Sequence, residues 1–195
     1  MDMSILDQED DSGYGHVELD SHADTCVAGS NCRVISFTGK TVTVTPFSGE
    51  YNAMPDIPIA TVGTAYDCPT TGQVYILVTH ESLWFGERLG HTLWCPNQLR
   101  DNGMLVQDVP KQWDELSSHS IYCPAARLRL PLKMKGVVSY IETRLPTQEA
   151  IDDVVMHVEL TSDDPWDPHT TTFAEREEKL LEKSIKFRIS SAQSR

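Results

Sequence analysis

The chain has 195 residues, of which 39% are hydrophobic and 23% are charged, and its 16 basic and 29 acidic residues give a formal net charge of −13. This composition is typical of a globular protein and excludes a collagen, a coiled coil and a chain that is disordered throughout. Because so negative a surface repels phosphate backbones, and because no apolar run approaches the roughly 20 residues of a membrane span, we expect neither nucleic acid nor a membrane as a direct partner.

Residues 1–14 form an acidic leader that we expect to be flexible. The leader lacks the basic start and the long apolar stretch of a secretory signal. Alternating polar and apolar residues then predict strands and hairpins over 16–20, 33–45, 57–78 and 104–106. These short, evenly spaced elements indicate a mainly β domain over residues 15–110.

Each of the two predicted hairpins contains a turn between its strands. The first is expected to turn at residues 38–40, where a glycine stands between two alternating runs, and the second at residues 67–72. Residues 91–99 are expected to turn into a short helix, because Pro96 disfavours a continuous strand.

Residues 111–195 are predicted to form an extension of α+β or partly disordered character. Within it, residues 127–141 alternate like a strand, and Pro131 places that strand at an edge or a bulge. Helices are predicted over 147–155 and 171–187.

The number and spacing of the cysteines indicate whether the protein resides in an oxidising or a reducing compartment. The chain has five cysteines, an odd and widely spaced set without a Cys-x-x-Cys pair. This pattern favours free thiols in a reducing environment. We therefore expect an intracellular, cytoplasmic protein.

Several common enzyme motifs are incomplete in this chain. Gly39-Lys40-Thr41 resembles the end of a phosphate-binding loop, but the position of the required upstream glycine holds Val34. His16-Val17-Glu18 has the His-x-Glu of zinc deaminases, but no Pro-Cys-x-x-Cys follows it. Neither pattern predicts a function.

The most informative segment is Leu19-Asp20-Ser21-His22-Ala23-Asp24-Thr25. An aspartate at the end of an apolar strand, followed by a small hydroxyl residue and a tight turn, is typical of an aspartic-protease active site. That chemistry needs two carboxylates about 3 Å apart that share one proton, because like charges so close cannot both ionise. A single-lobed chain offers one such loop, so it must dimerise to form the pair.

The run Asp-Ser-x-Ala-Asp-Thr resembles the active-site loop of retropepsin-like proteases, and the chain from about 16 to 110 resembles the protease region of Ty1/copia-type retrotransposon Gag-Pol polyproteins. The stretches that carry this resemblance are 19–29, 33–45, 57–78 and 91–106. The resemblance implies a retropepsin-like single-lobe acid-protease barrel, followed by a spacer. It also implies a homodimeric aspartic endopeptidase that needs no cofactor, takes a polypeptide substrate and processes a polyprotein, in the cytoplasm or in a retroelement particle.

When the roles of the family's loop residues are assigned by position, the resemblance implies that Asp20 is the catalytic aspartate. It also implies that Ser21 holds the two loops of the dimer together. The active-site loop continues through His22, Ala23, Asp24 and Thr25. The family has glycine where this chain has His22, and an imidazole adds bulk beside the catalytic pair. The sequence therefore leaves two alternatives open: an active endopeptidase, or a catalytically inactive remnant that serves as a folding or interaction module.

A third hypothesis rests on two His-x₃-Cys pairs. The pairs are His22 with Cys26 and His91 with Cys95. Zinc accepts two thiolates and two imidazoles in a tetrahedral set. If the two half-loops lie close together, these four residues predict a zinc-stabilised β domain.

Overall fold

A computed structural model describes residues 15–45 and 52–193. The predicted leader, residues 1–14, lies outside the described residues. The strands are β1 (Gly15–Leu19), β2 (Val27–Gly29), β3 (Arg33–Val44), β4 (Met54–Asp67), β5 (Val74–Gly86), β6 (Thr92–Trp94), β7 (Leu105–Gln107), β8 (Ser120–Cys123), β9 (Leu128–Pro131), β10 (Lys133–Lys135), β11 (Val138–Thr143) and β12 (His157–Glu159). The helices are α1 (Pro96–Asp101), α2 (Gln148–Asp152), a 3-10 helix (Val154–Met156) and α3 (Thr172–Gln193). The prediction of a mainly β protein is confirmed.

Most strands belong to one sheet with the order β10-β11-β1-β6-β2-β5-β4-β3, and β12 pairs with β5 outside this path. A second, three-stranded sheet has the order β7-β8-β9. Within the described ranges, the outer strands β10 and β3 are not paired with each other, so the sheet does not close into a barrel. The central strand β1 is parallel to β6 and antiparallel to β11.

The predicted hairpin over 33–45 is wrong. Both of its halves pair with the same partner strand, since Arg33 faces Gly63 and Val42 faces Ile57. The expected turn at residues 38–40 is instead a bulge, in which Gly39 takes a φ of 80°. The hydroxyl of Thr38 donates to the carbonyl oxygen of a residue in β4, so the bulge stays attached to the sheet.

The second predicted hairpin is confirmed as β4 and β5, joined by the turn at residues 68–73. The short helix after residue 95 and the helix at residue 148 are also present. The Thr147 hydroxyl caps α2 by accepting a hydrogen bond from the backbone N–H of Ala150. Residues 127–141 form parts of three strands instead of one, because Pro131 ends β9 and Gly136, with a φ of 60°, turns the chain between β10 and β11.

The largest hydrophobic cluster draws on both predicted parts of the chain. Val17 and Trp94 come from the first part, and Ile121, Ile141 and Leu160 come from the second. Strands β11 and β12 extend the sheet that β1 and β5 belong to. Residues beyond 110 therefore help to bury the strand that leads to the candidate catalytic loop. Within the described residues, no helix has both the length and the apolar character needed to cross a membrane.

Candidate functional site

The loop that carries Asp20 is held at both ends by buried groups. Asp20 directly follows β1, and its backbone N–H donates to the carbonyl oxygen of Trp94 at 3.1 Å. Because β1 and β6 are parallel, their carboxyl ends meet at the same edge of the sheet. At the far end of the loop, the backbone N–H of Cys26 donates to the side-chain oxygen of the buried Gln98 at 2.8 Å. The loop is thus fixed to β6 and to α1.

Between these anchors the chain makes the tight turn that the sequence predicts. The Asp20 carboxylate accepts a hydrogen bond from the backbone N–H of His22 at 2.8 Å. The Asp20 carbonyl oxygen accepts another from the N–H of Ala23 at 3.3 Å. Ser21, His22 and Asp24 are exposed, whereas Thr25 is buried. The result is a carboxylate oriented by a backbone donor on a turn whose outer face is open.

His22 does not need the conformational freedom of glycine at this position. It is not among the non-glycine residues that have a positive φ. Its backbone N–H already reaches the carboxylate, and its exposed imidazole lines an adjoining open cavity. The backbone conformation of this turn is therefore compatible with histidine, and any effect of His22 must come from its side chain.

An open cavity of about 580 Å³ adjoins this loop. Its walls are the loop, the first helix and a C-terminal segment that we define as residues 166–177. The lining residues are Ser21, His22, Ala23, Asp24, Cys95, Asn97, Arg100, Asp101, Trp166, Pro168, Phe173 and Glu177. Three hydrogen bonds hold the C-terminal segment in place. Trp166 Nε1 donates to the carbonyl oxygen of Asp24 at 2.9 Å, the Trp166 backbone N–H donates to the Glu81 carboxylate at 3.5 Å, and Arg176 donates to Asp101 at 3.4 Å.

This C-terminal wall is not predicted by the sequence. Trp166 lies in an acidic stretch without a recognisable motif, and Phe173 begins an amphipathic helix that is equally consistent with plain packing. Their proximity to the loop follows from the long-range pairing of β12 with β5, which brings the chain back to this edge. No local sequence signal indicates that pairing.

The two predicted His-x₃-Cys pairs are only partly brought together. Cys26 and Cys95 adjoin, with the backbone N–H of Cys95 donating to Cys26 Sγ at 3.3 Å. Burial raises the pKa of both thiols, far above the ordinary value for Cys26, and this disfavours the thiolate that zinc requires. His91 precedes β6 while Cys95 follows it, so the strand rise separates them by about 13 Å.

The exposed imidazole of His22 does not complete that set either. Within the described residues, the ligand atoms of His22, Cys26, His91 and Cys95 do not form a group close enough to hold one ion. The structure instead brings His91 together with two residues that were not predicted as ligands, His16 and Glu18.

His16 and Glu18 lie on β1, and His91 directly precedes β6. One oxygen of the Glu18 carboxylate lies 3.0 Å from His16 Nε2, and the other lies 3.6 Å from His91 Nε2. The two imidazole rings are stacked, with centroids 4.8 Å apart and an interplanar angle of 8°. The His-x-Glu pattern over residues 16–18 is the sequence signal that could have identified this cluster, because alternate residues of a strand share a face.

Comparison of the chain with protein-family models, with curated proteins and with solved structures gives no match. Any function assigned to the chain therefore rests on the chemistry of its own residues.

Proposed function

We propose that the chain is one protomer of a retropepsin-like aspartic endopeptidase that processes a polypeptide, as in a copia-type polyprotein. Asp20 of each protomer contributes one carboxylate of the catalytic pair. The observation that carries this proposal is the hydrogen bond from the His22 backbone N–H to the Asp20 carboxylate, on an exposed turn that buried residues anchor at both ends.

The proposed reaction follows from pairing two such loops. When two Asp20 carboxylates approach to about 3 Å, they retain one proton between them, because two negative charges cannot be accommodated so close together. The ionised carboxylate accepts a proton from a water molecule as the water oxygen attacks the carbonyl carbon of the scissile peptide bond, and the protonated carboxyl donates its proton to the carbonyl oxygen. The C–N bond of the resulting tetrahedral intermediate then breaks, and the leaving amine takes up a proton from the first carboxyl while a hydroxyl of the intermediate returns one to the second. The backbone N–H at His22 keeps the carboxylate oriented for both steps.

The exposure of the loop supports the need for a second copy. Ser21 and His22 present their side chains to solvent, so a partner loop has access to this face. In this arrangement the Ser21 hydroxyl is positioned to bind across the dimer and hold the two turns together. The open cavity beside the loop supplies room for an extended substrate.

A second candidate function is a catalytically inactive interaction module of the same fold. The exposed His22 imidazole favours it, since this side chain occupies part of the space that a partner loop would approach. The two candidates share dimerisation and differ in cleavage.

The test compares the full chain with two aspartate variants on a library of polyprotein-junction peptides at mildly acidic pH, with mass spectrometry as the readout. Asp20→Asn removes the proposed catalytic acid. Asp114→Asn is the matched control, because the Asp114 carboxylate also accepts the backbone N–H two residues ahead, at 3.0 Å, on an exposed turn.

We expect cleavage by the wild type and by Asp114→Asn, inhibition by a statine-type transition-state analogue, and no cleavage by Asp20→Asn. Sedimentation should show a dimer for all three proteins. Equal cleavage by Asp20→Asn would contradict the assignment of the catalytic residue, and a dimer without any cleavage would favour the interaction module.

A further inference from the structure

We propose that His16, Glu18 and His91 form a binding site for a divalent transition-metal ion of the zinc type, with a coordination position left open to solvent. The proposal does not depend on the peptidase function. It rests on three side chains whose ligand atoms all lie within 4.8 Å of one another.

Strand pairing assembles the cluster. His16 and Glu18 are alternate residues of β1 and therefore share one face of the sheet. In the parallel pairing of β1 with β6, Val17 faces Thr92, which brings His91 alongside His16. Because β1 carries two of the side chains and His91 directly precedes β6, the pairing of these strands restricts the placement of all three, as a metal site requires.

The distances are close to those of a coordinated ion. Ligand atoms bound to zinc at about 2.0–2.1 Å in a tetrahedron lie roughly 3.4 Å apart. The Glu18 carboxylate oxygens lie 3.0 Å from His16 Nε2 and 3.6 Å from His91 Nε2. Both ring nitrogens thus face the same carboxylate, and coordination of one ion requires the two stacked imidazole planes to tilt toward each other.

The surroundings suit an ion that remains accessible to water. The side chains of His16, Glu18 and His91 are 28%, 25% and 30% exposed, so an ion can enter and a solvent molecule can complete its shell. The ring of Tyr140 packs edge-on against His16, with centroids 5.9 Å apart, and limits the motion of that imidazole. The neighbouring Glu142 is already engaged by Lys133, which leaves Glu18 as the carboxylate of the site.

The ligand chemistry selects the class of metal. Two imidazoles and one carboxylate suit zinc and the neighbouring transition ions, whereas calcium and magnesium prefer oxygen ligands alone. Three protein ligands leave a fourth position of a tetrahedral ion for water. A bound ion would also join β1 to the residue that precedes β6, and Asp20 and Cys95 directly follow these two strands.

The test is calorimetric titration of the reduced full chain with Zn²⁺ near neutral pH. We expect one ion per chain, an increase in melting temperature on binding, and an affinity that falls by more than roughly tenfold in Glu18→Gln and in His91→Ala, since even outer-sphere changes cost that much. His169→Ala is the matched control, because this imidazole is 85% exposed and lies outside the cluster. Its affinity should equal that of the wild type.

Two further measurements separate this site from a thiol site. Cys26→Ser should leave zinc binding unchanged, and the Co²⁺ derivative should lack thiolate-to-metal charge-transfer absorption. In the wild-type protein, zinc should shift the imidazole NMR signals of two histidines only. This readout needs no variant and therefore holds even if a substitution impairs folding.

Three outcomes would overturn the proposal: no saturable zinc binding, binding that persists in both Glu18→Gln and His91→Ala, or loss of binding in Cys26→Ser. The first would leave the cluster as a hydrogen-bonding network in which Glu18 bridges two imidazoles. The last would assign the ion to the thiols.

Discussion

The indole N–H of Trp166 donates a hydrogen bond of 2.9 Å to the backbone carbonyl oxygen of Asp24, a residue 142 positions earlier in the chain. The same indole packs against the ring of Phe173, with centroids 5.5 Å apart. The half-buried tryptophan therefore joins the C-terminal segment to the loop that carries the candidate catalytic acid. The shape of that loop depends on residues far beyond the predicted β domain.

Replacing Trp166 by phenylalanine should weaken this connection. The variant keeps an aromatic ring but loses the donor, so we expect the free energy of unfolding to fall by about 0.5–1.5 kcal/mol. Urea denaturation followed by circular dichroism measures the change. Trp113→Phe is the control, since its side chain is 63% exposed and a surface substitution changes stability by about 0.5 kcal/mol or less. Equal effects in the two variants would show that the hydrogen bond to Asp24 does not stabilise the fold.

Replacing His22 by glycine should increase cleavage at least several-fold. The backbone N–H that orients the Asp20 carboxylate is kept, while the exposed imidazole, which in the proposed dimer would face the partner loop, is removed. Glycine adds conformational freedom to the unfolded chain, so a loss of about 0.5–1 kcal/mol in stability is expected. The measurement is kcat/KM on the best junction peptide, together with the dimer dissociation constant.

His22→Ala separates the two effects of that substitution, because alanine removes the imidazole without adding glycine's backbone freedom. It should show a similar gain in cleavage without the loss of stability. If both variants remain inactive while still dimerising, the endopeptidase proposal gives way to the interaction module.

Gly29 should not tolerate a side chain. A Cβ atom there would lie 2.2 Å from the carbonyl oxygen of His91 and 2.6 Å from that of Leu89, both backbone atoms that cannot rotate away. We expect Gly29→Ala to cost at least about 2 kcal/mol of unfolding free energy. The neighbouring Gly90 is the control, because a Cβ atom there meets nothing within 4 Å. Gly90→Ala should change stability by about 1 kcal/mol or less. Thermal and urea unfolding of both variants test the contrast, which a similar loss in Gly90→Ala would refute.

Stability should fall in mild acid because of His119. This histidine is 8% exposed, and its Nε2 lies 3.0 Å from the Ser139 hydroxyl. Burial lowers the pKa of His119, and Lys111 acts in the same direction while Asp108 opposes them. The unfolded chain, with a pKa of about 6.5 at this residue, therefore binds more protons than the folded one as the pH drops below that value. The contribution of neutral His119 to the free energy of unfolding is fully present above about pH 7. It is lost as the pH falls toward the lowered pKa.

Urea unfolding at a series of pH values between about 7 and 5 measures this loss. In His119→Asn, which has no titrating group and tolerates the positive φ of 44° at this position, the slope of stability against pH should be smaller than in the wild type. His169→Asn, which replaces an exposed imidazole, is the control for the loss of a histidine. An unchanged slope in His119→Asn would mean that other groups cause the acid sensitivity.

Sequence reasoning succeeded where neighbours in the chain are also neighbours in space. The turn after Asp67, the helix that begins at Pro96 and the cap at Thr147 all depend on residues a few positions apart. The exposed turn at Asp20 belongs to the same class, because an aspartate readily accepts the N–H two residues ahead.

Predictions from local patterns were wrong where pairing with a strand far away in the sequence determines the structure. Thr38-Gly39-Lys40 has the composition of a turn, and only the continuous pairing of its flanks with β4 makes it a bulge. His16 meets His91 solely through a parallel pairing of strands separated by 72 residues. The position of Trp166 likewise follows from β12 joining β5.

The place of β1 between β6 and β11 has a consequence for biosynthesis. Residues 15–19 leave the ribosome long before residues 92–94 and 138–143, and both of these later segments are needed to complete their pairing in the sheet. Such non-local pairing is slow, because the entropy of closing the long intervening loop must be lost before the strands can pair. The nascent polypeptide therefore carries an unassembled Asp20 turn at least until residues 94–98, which anchor it, have been made.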